Sequence, residues 1–195
     1  MARLVAFLRG INVGGHRVKM DALRGHFAAL KLRGVETFIA SGNVIFETAT
    51  TDLAALERKI ERHLAAELGY DVPTMLRSMA ELATVGGHRP FSSGDMENET
   101  NSLNVLFLRA APPAEVARAV AALNGAKDEF RLKGREIYWL CRGKISVDSL
   151  AAPLMGKALK GCECTVRNLR TVRQMVGLYG EAPGGKAAKR VSCVS

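Results

Sequence analysis

The chain has 195 residues with an apolar content of 48%, which is enough to build one large domain or two small ones and excludes an intrinsically disordered protein. Its formal charge is +9 and its pI about 9.7. Residues 1–100 carry twelve Lys/Arg against twelve Asp/Glu and residues 101–195 sixteen against seven, so the whole excess lies in the second half and favours polyanions or phosphorylated metabolites. Cys141, Cys162, Cys164 and Cys193 are too few and too unevenly spaced for a secreted disulfide scaffold. No leader is recognised, and no apolar run approaches the ~18 residues of a membrane span. The expectation is a cytoplasmic protein without a membrane partner.

Leu4 to Leu8 is a continuous apolar run suited to a strand buried on both faces. Arg9-Gly10-Ile11-Asn12-Val13-Gly14-Gly15-His16 follows and runs on to Lys19. Met20, Leu23, Phe27 and Leu30 then recur at helical spacing, and Gly34 is placed to end that helix in a left-handed conformation. Glu36 to Ile39 and Val44 to Phe46 read as a hairpin around Ala40-Ser41-Gly42-Asn43. Thr51 or Asp52 caps a helix striped by Leu53, Leu56, Ile60, Leu64 and Leu68, which ends near Gly69. Val72 to Arg77 gives a fourth strand, placed at an edge by Pro73, and a short helix runs from Ser78 to about Thr84.

Gly, Pro and Ser concentrate between Val85 and Gly94 without apolar period, so residues 86–101 read as a connector. The order then recurs. Leu103 to Leu108 is a strand, and Pro112-Pro113 opens a helix through Val116, Val120 and Leu123. Phe130 to Leu132 and Ile137 to Leu140 flank the turn Lys133-Gly134-Arg135. A helix from Ser149 to Lys160, a strand from Cys162 to Val166 and a closing helix capped by Asn168 complete the half. The fold class is α+β: duplicated ferredoxin-like β-α-β-β-α-β units with predominantly antiparallel sheets, over 1–85 and 102–180. Residues 181–195 form a basic tail without a fixed fold.

Arg9 to Lys19 sits where a strand hands over to a helix. Gly10, Gly14 and Gly15 let the backbone approach a ligand, the helix offers free N–H groups, and Arg9, Arg17 and Lys19 supply charge. The spacing is neither G-x-G-x-x-G nor G-x-x-x-x-G-K-[ST], and a simple long turn explains the glycines equally well. Ser41-Gly42-Asn43 is first of all hairpin chemistry. His16, His26, His63 and His88 show no partner pattern for a serine nucleophile, although His16 lies in the loop, and His63 is expected to face solvent. Cys162-x-Cys164 fits two half-buried thiols better than a metal site. The pattern of an RNA-recognition sheet is absent, and alternation sends Tyr138 and Trp139 to opposite faces.

Leu8-Arg9-Gly10-Ile11-Asn12-Val13-Gly14-Gly15 with Lys19-Met20, then Ser41-Gly42-Asn43-Val44-Ile45-Phe46, resembles the bacterial family known as domain of unknown function 1697. The likeness runs on through Val72-Pro73, Arg77 and Pro90-Phe91 to Thr165-Val166-Arg167-Asn168 with Thr171. The resemblance implies the duplicated ferredoxin-like fold and no particular activity. Two positions depart from the family pattern: Ala40 replaces a glutamine, and Asp148-Ser149-Leu150 replaces Ser-Lys-Leu.

In a duplicated fold the opening loop and the start of the last helix can share a cleft in which an anion meets Arg9, Arg167 and two helix N-termini. The leading expectation is a protein that binds a phosphate-bearing small molecule or nucleic acid through Arg9, Gly10, Asn12, Gly14, Gly15, Lys19, Ser41, Asn43, Arg167 and Asn168, without metal or cofactor. The alternatives are an enzyme acting on a phosphorylated or carboxylated metabolite, and a self-associating structural protein.

Overall fold

The computed structural model describes residues 1–12, 15, 17–143 and 151–180. Strand β1 (Ala2–Leu8) is followed by α1 (Met20–Ala29), β2 (Arg33–Thr37), β3 (Asn43–Thr48), α2 (Leu53–Leu68) and β4 (Thr74–Ser78). The four strands form one antiparallel sheet in the order β2-β3-β1-β4. After α3 (Met79–Gly87) and the single-turn α4 (Ser93–Glu97), the series β5 (Ser102–Leu108), α5 (Ala114–Ala121), β6 (Asp128–Lys133), β7 (Glu136–Cys141), α6 (Ala151–Ala158) and β8 (Cys164–Asn168) repeats the pattern, and α7 (Leu169–Tyr179) closes it. Its sheet has the equivalent order β6-β7-β5-β8. The duplicated ferredoxin-like architecture is present, as two separate sheets rather than one fused one.

Strand alternation decides how the sheets stack. Leu4, Ala6 and Leu8 point to one face of β1, where they meet Leu23 and Phe27 of α1 and Leu56, Ile60 and Leu64 of α2. Val5 and Phe7 point to the other face and meet Val105 and Phe107 of the second sheet. Phe7 and Phe107 stack with centroids 4.1 Å apart and planes 16° from parallel. Such a pair adds about 0.5–1.5 kcal/mol beyond its buried area. Leu106 and Leu108 turn outward again, against α5 and α6. The result is four layers, helix, sheet, sheet and helix, with α3 and α7 sealing the middle through Leu82, Val85, Val172 and Met175. Tyr138 lies in the central core and Trp139 in the outer one, on opposite faces as alternation requires.

Caps set most element ends. The Asp52 carboxylate accepts the Ala55 N–H at 2.9 Å to start α2, and Gly69 ends it at φ 78°. Ser78 and Glu81 form a reciprocal capping box on α3. Helix α1 behaves differently from the sequence expectation: it stops at Ala29, and Lys31 (φ 64°) takes the left-handed position, not Gly34. The reason is Leu32, which must turn into the core below α1 and so draws the chain off the helix one turn early. Gly34, at φ 57°, instead serves the register shift of β2 between Arg33 and Glu36. The last strand begins two residues later than expected, because Cys162 still belongs to the turn closing on Leu159 and pairing with β5 starts at Cys164. Residues 86–101, expected to be a connector without structure of its own, contain α4, whose Met96 is buried in the central core.

Strand β4 is an edge, as Pro73 suggests. Its outward N–H groups are satisfied by α2: Thr74 N–H donates to Glu61 and Leu76 N–H to Glu57, both at 2.8 Å. Two carboxylates thus close an edge open to strand addition. Among the described residues no helix is long and apolar enough to cross a membrane.

Candidate functional site

Leu76-Arg77-Ser78 ends β4 and Val166-Arg167-Asn168 ends β8, each with an arginine just before a helix cap. Both arginines are buried and reach into the opposite unit. Arg167 Nε donates to Asn43 Oδ1 at 2.5 Å, Nη2 to the carbonyls of Leu8 at 2.8 Å and Gly42 at 3.3 Å, and Nη1 to Thr165 Oγ1 and the Val166 carbonyl. Its guanidinium lies 5.4 Å from the ring centroid of Phe7. Arg77 mirrors it, with Nε on Glu136 at 2.7 Å, Nη2 on the Leu108 carbonyl at 2.7 Å, and its guanidinium 5.4 Å from the Phe107 centroid. One difference breaks the symmetry. Arg77 has a carboxylate partner, whereas Arg167 has only neutral acceptors. Burial pushes Arg167 down to about 10, so it remains charged at neutral pH.

Above Arg167 lies the junction of the opening loop with the Ser41-Gly42-Asn43 turn. Asn12, in the left-handed region at φ 58°, donates through Nδ2 to the Ala40 carbonyl and accepts the Val18 N–H at 2.7 Å. Asn43, fully buried, donates to the Phe38 carbonyl and Ser41 Oγ. These side chains brace two loops against each other. Gly42 is held at φ 72°, with the Leu8 carbonyl 3.2 Å from where a Cβ would stand. Gly42→Ala is therefore expected to cost about 1–3 kcal/mol, read from urea unfolding. Gly25→Ala, inside α1 and facing open space, is expected to gain about 0.5–1 kcal/mol.

The cations of the loop are free. Arg9, Arg17 and Lys19 are exposed, and no hydrogen bond or ion pair engages their side chains among the described residues. Lys19 is the N-cap of α1 and caps nothing with its side chain, so the first-turn N–H groups keep their binding capacity. The position equivalent to Arg9 in the second unit behaves in the opposite way. Arg9 N–H donates to the Pro73 carbonyl where Arg109 N–H donates to that of Glu163, yet the Arg109 side chain is held by Glu163 at 2.5 Å, Glu57 at 3.3 Å and Glu61. Pro73 cannot supply the charge that Glu163 does.

The structure thus brings together Arg9, Gly10, Asn12, Ser41, Asn43 and Arg167, with Gly15 and Lys19 along the same loop. Gly14 and His16 lie outside the described residues, as do Val13, Asp148-Ser149-Leu150, Cys193 and the tail from 181. Asn168 stands at the far end of β8 from Cys164 and caps α7 by accepting the Arg170 N–H at 2.9 Å. Cys164 feels Arg9, but burial outweighs that pull and raises its thiol. No group of three metal-ligating side chains occurs among the described residues. His63 is half-buried against His26, with ring centroids 5.7 Å apart, rather than facing solvent. Sequence analysis names Arg77 in the fourth strand and in the family likeness without giving it a role, and assigns none to Glu57, Glu61 or Glu136. A charged residue closing the apolar run Met75-Leu76 was the available signal for the first, whereas the glutamates look like ordinary surface positions.

A family described as a protein of unknown function (DUF1697) matches residues 1–138. No curated protein matches the chain. Among solved structures, a conserved bacterial protein from Streptococcus pneumoniae is similar at a TM-score of 0.67 and 25% identity, over 91% of this chain and 97% of that one.

Proposed function

We propose, on the premise that the chain belongs to the DUF1697 family, that it binds a small phosphate-bearing anion in the cytoplasm through the loop from Arg9 to Lys19. The observation that carries this reading is the contrast between the two equivalent arginines: Arg109 is neutralised by three carboxylates and Arg9 by none among the described residues. Arg9, Arg17, Lys19 and the uncapped start of α1 then form a cationic rim. Gly10 and Gly15 take φ 79° and 91°, left-handed conformations that let the backbone come close to a ligand. Arg167, with every donor engaged, sets the shape of the loop rather than contacting the ligand. Free thiols at Cys141, Cys162 and Cys164 suit a reducing compartment.

Nucleic acid is the weaker version of this reading. The helix-free face of a ferredoxin-like sheet is where bases would stack, and here each sheet spends that face on the other. Part of the basic excess of the second half is also turned inward, since Arg135 and Arg142 pair with Glu81 and Asp95 of the first half. Titration of the full chain with inorganic phosphate, pyrophosphate and a nucleoside triphosphate, followed by thermal shift, tests the proposal. The expected result is saturable stabilisation with a shallow salt dependence. The double substitution Arg9→Ala with Lys19→Ala is expected to weaken it about tenfold or more at a nearly unchanged Tm. Equal binding by the double variant, or a steep salt slope with DNA or RNA alone, would overturn it.

A further inference from the structure

A second candidate cleft lies away from the opening loop. It lies at the other end of the first sheet, where the turn after α1, the end of β3 and the start of α2 meet, and encloses about 470 Å³. That is within the ~300–1,000 Å³ of small-molecule sites. Thr48, at this end of β3, pairs with Ala2, whereas Asn43 at the loop end pairs with Phe7. The cleft and the loop are therefore separated by the length of β1.

The cleft has an apolar floor and a cationic rim. Leu32 and Leu56 form the floor, both buried and continuous with the outer core of the first unit. Lys31, Arg33 and Lys59 stand around it, all exposed. Lys31 and Arg33 have no carboxylate partner among the described residues, and Lys59 reaches only the Leu30 carbonyl, at 3.5 Å. The one acid of the lining, Glu47, is already engaged by Arg3 at 2.8 Å. Lys31 also occupies a left-handed position that glycine would take without strain. The result is that a lysine, rather than no side chain at all, projects from the turn.

We infer that this cleft binds a small amphipathic organic anion, with its apolar body on Leu32 and Leu56 and its negatively charged head between Lys31, Arg33 and Lys59. Three cations with no carboxylate in ion-pair contact among the described residues, around an apolar floor, reject a neutral apolar ligand only weakly and a cationic one strongly. The anionic head adds charge-assisted hydrogen bonds that a neutral head lacks. This site is independent of the loop and survives if the loop binds nothing.

Octanoate and octanol, titrated separately into the full chain and followed through backbone amide shifts, separate the possibilities. The expected result is one saturable octanoate site with shifts confined to residues 30–33, 47–50 and 55–59, and at least about tenfold weaker binding of octanol. The variant carrying Lys31→Ala and Arg33→Ala is expected to lose about tenfold or more in octanoate affinity, with phosphate titration at the opening loop unaffected. Should that variant fail to fold, Lys59→Gln provides a milder test, with a severalfold loss expected. Scattered or non-saturating shifts, equal affinity for octanol, or unchanged octanoate binding by the folded variants would overturn the inference.

Discussion

Arg77→Met is expected to destabilise the protein by about 3–5 kcal/mol, the range for breaking a buried ion pair by removing one partner. Arg77 is fully buried and Glu136 13% exposed, at 2.7 Å, so methionine fills much of the volume but leaves a largely buried carboxylate without its guanidinium partner. The same substitution strips the Leu108 carbonyl of its donor. Because Arg77 belongs to the first unit and Glu136 to the second, the loss falls on the interface, and urea unfolding should show both units melting in one transition shifted to lower denaturant. Adding Glu136→Met is expected to recover most of the loss, since a buried pair replaced as a whole by apolar residues is often neutral. A double variant no better than the single one would show that packing over Phe107, not the charge pair, carries the effect.

The order of elements was legible in the sequence because each depends on short-range signals. The continuous apolar run from Leu4 to Leu8 marks a strand buried on both faces, and Asp52 and Gly69 bracket α2 as capping rules require. What the sequence left hidden depends on contacts between residues far apart in the chain. The stacking of Phe7 on Phe107 spans 100 positions, and nothing local distinguishes it from two ordinary core phenylalanines. Glu57 and Glu61 sit on the face of α2 that a helical wheel marks as polar, yet they close the edge of β4 and hold Arg109. The early end of α1 was missed for a similar reason, because the burial of Leu32 outweighs the preference for glycine at the left-handed position. The duplication predicts that Arg167 and the opening loop share a cleft; the guanidinium is instead held by the Leu8 carbonyl, at the end of β1, and by Gly42 and Asn43 of the turn, acceptors that no local signal announces.

Arg167→Met is expected to cost about 2–4 kcal/mol, less than Arg77→Met, because it strands neutral acceptors and no opposite charge. Asn43 Oδ1, the Leu8 carbonyl and Thr165 Oγ1 lose their donor together, partly offset by removal of a buried cation that nothing neutralises. Urea unfolding of the two variants side by side measures the difference directly. Arg167→Lys should also fall short of the wild type, since one ammonium cannot bridge acceptors on β3, β1 and β8 at once. The same comparison bears on the loop. If Arg167 only shapes it, then at temperatures where the variant is folded its affinity for inorganic phosphate should drop no more than a few-fold, against about tenfold or more for the Arg9 and Lys19 double variant. If binding is abolished in folded Arg167→Met while Arg9→Ala binds normally, the anion must displace one of the carbonyls now holding the guanidinium. Arg167 would then be the contact residue, and the cationic rim of the loop merely its solvated surround.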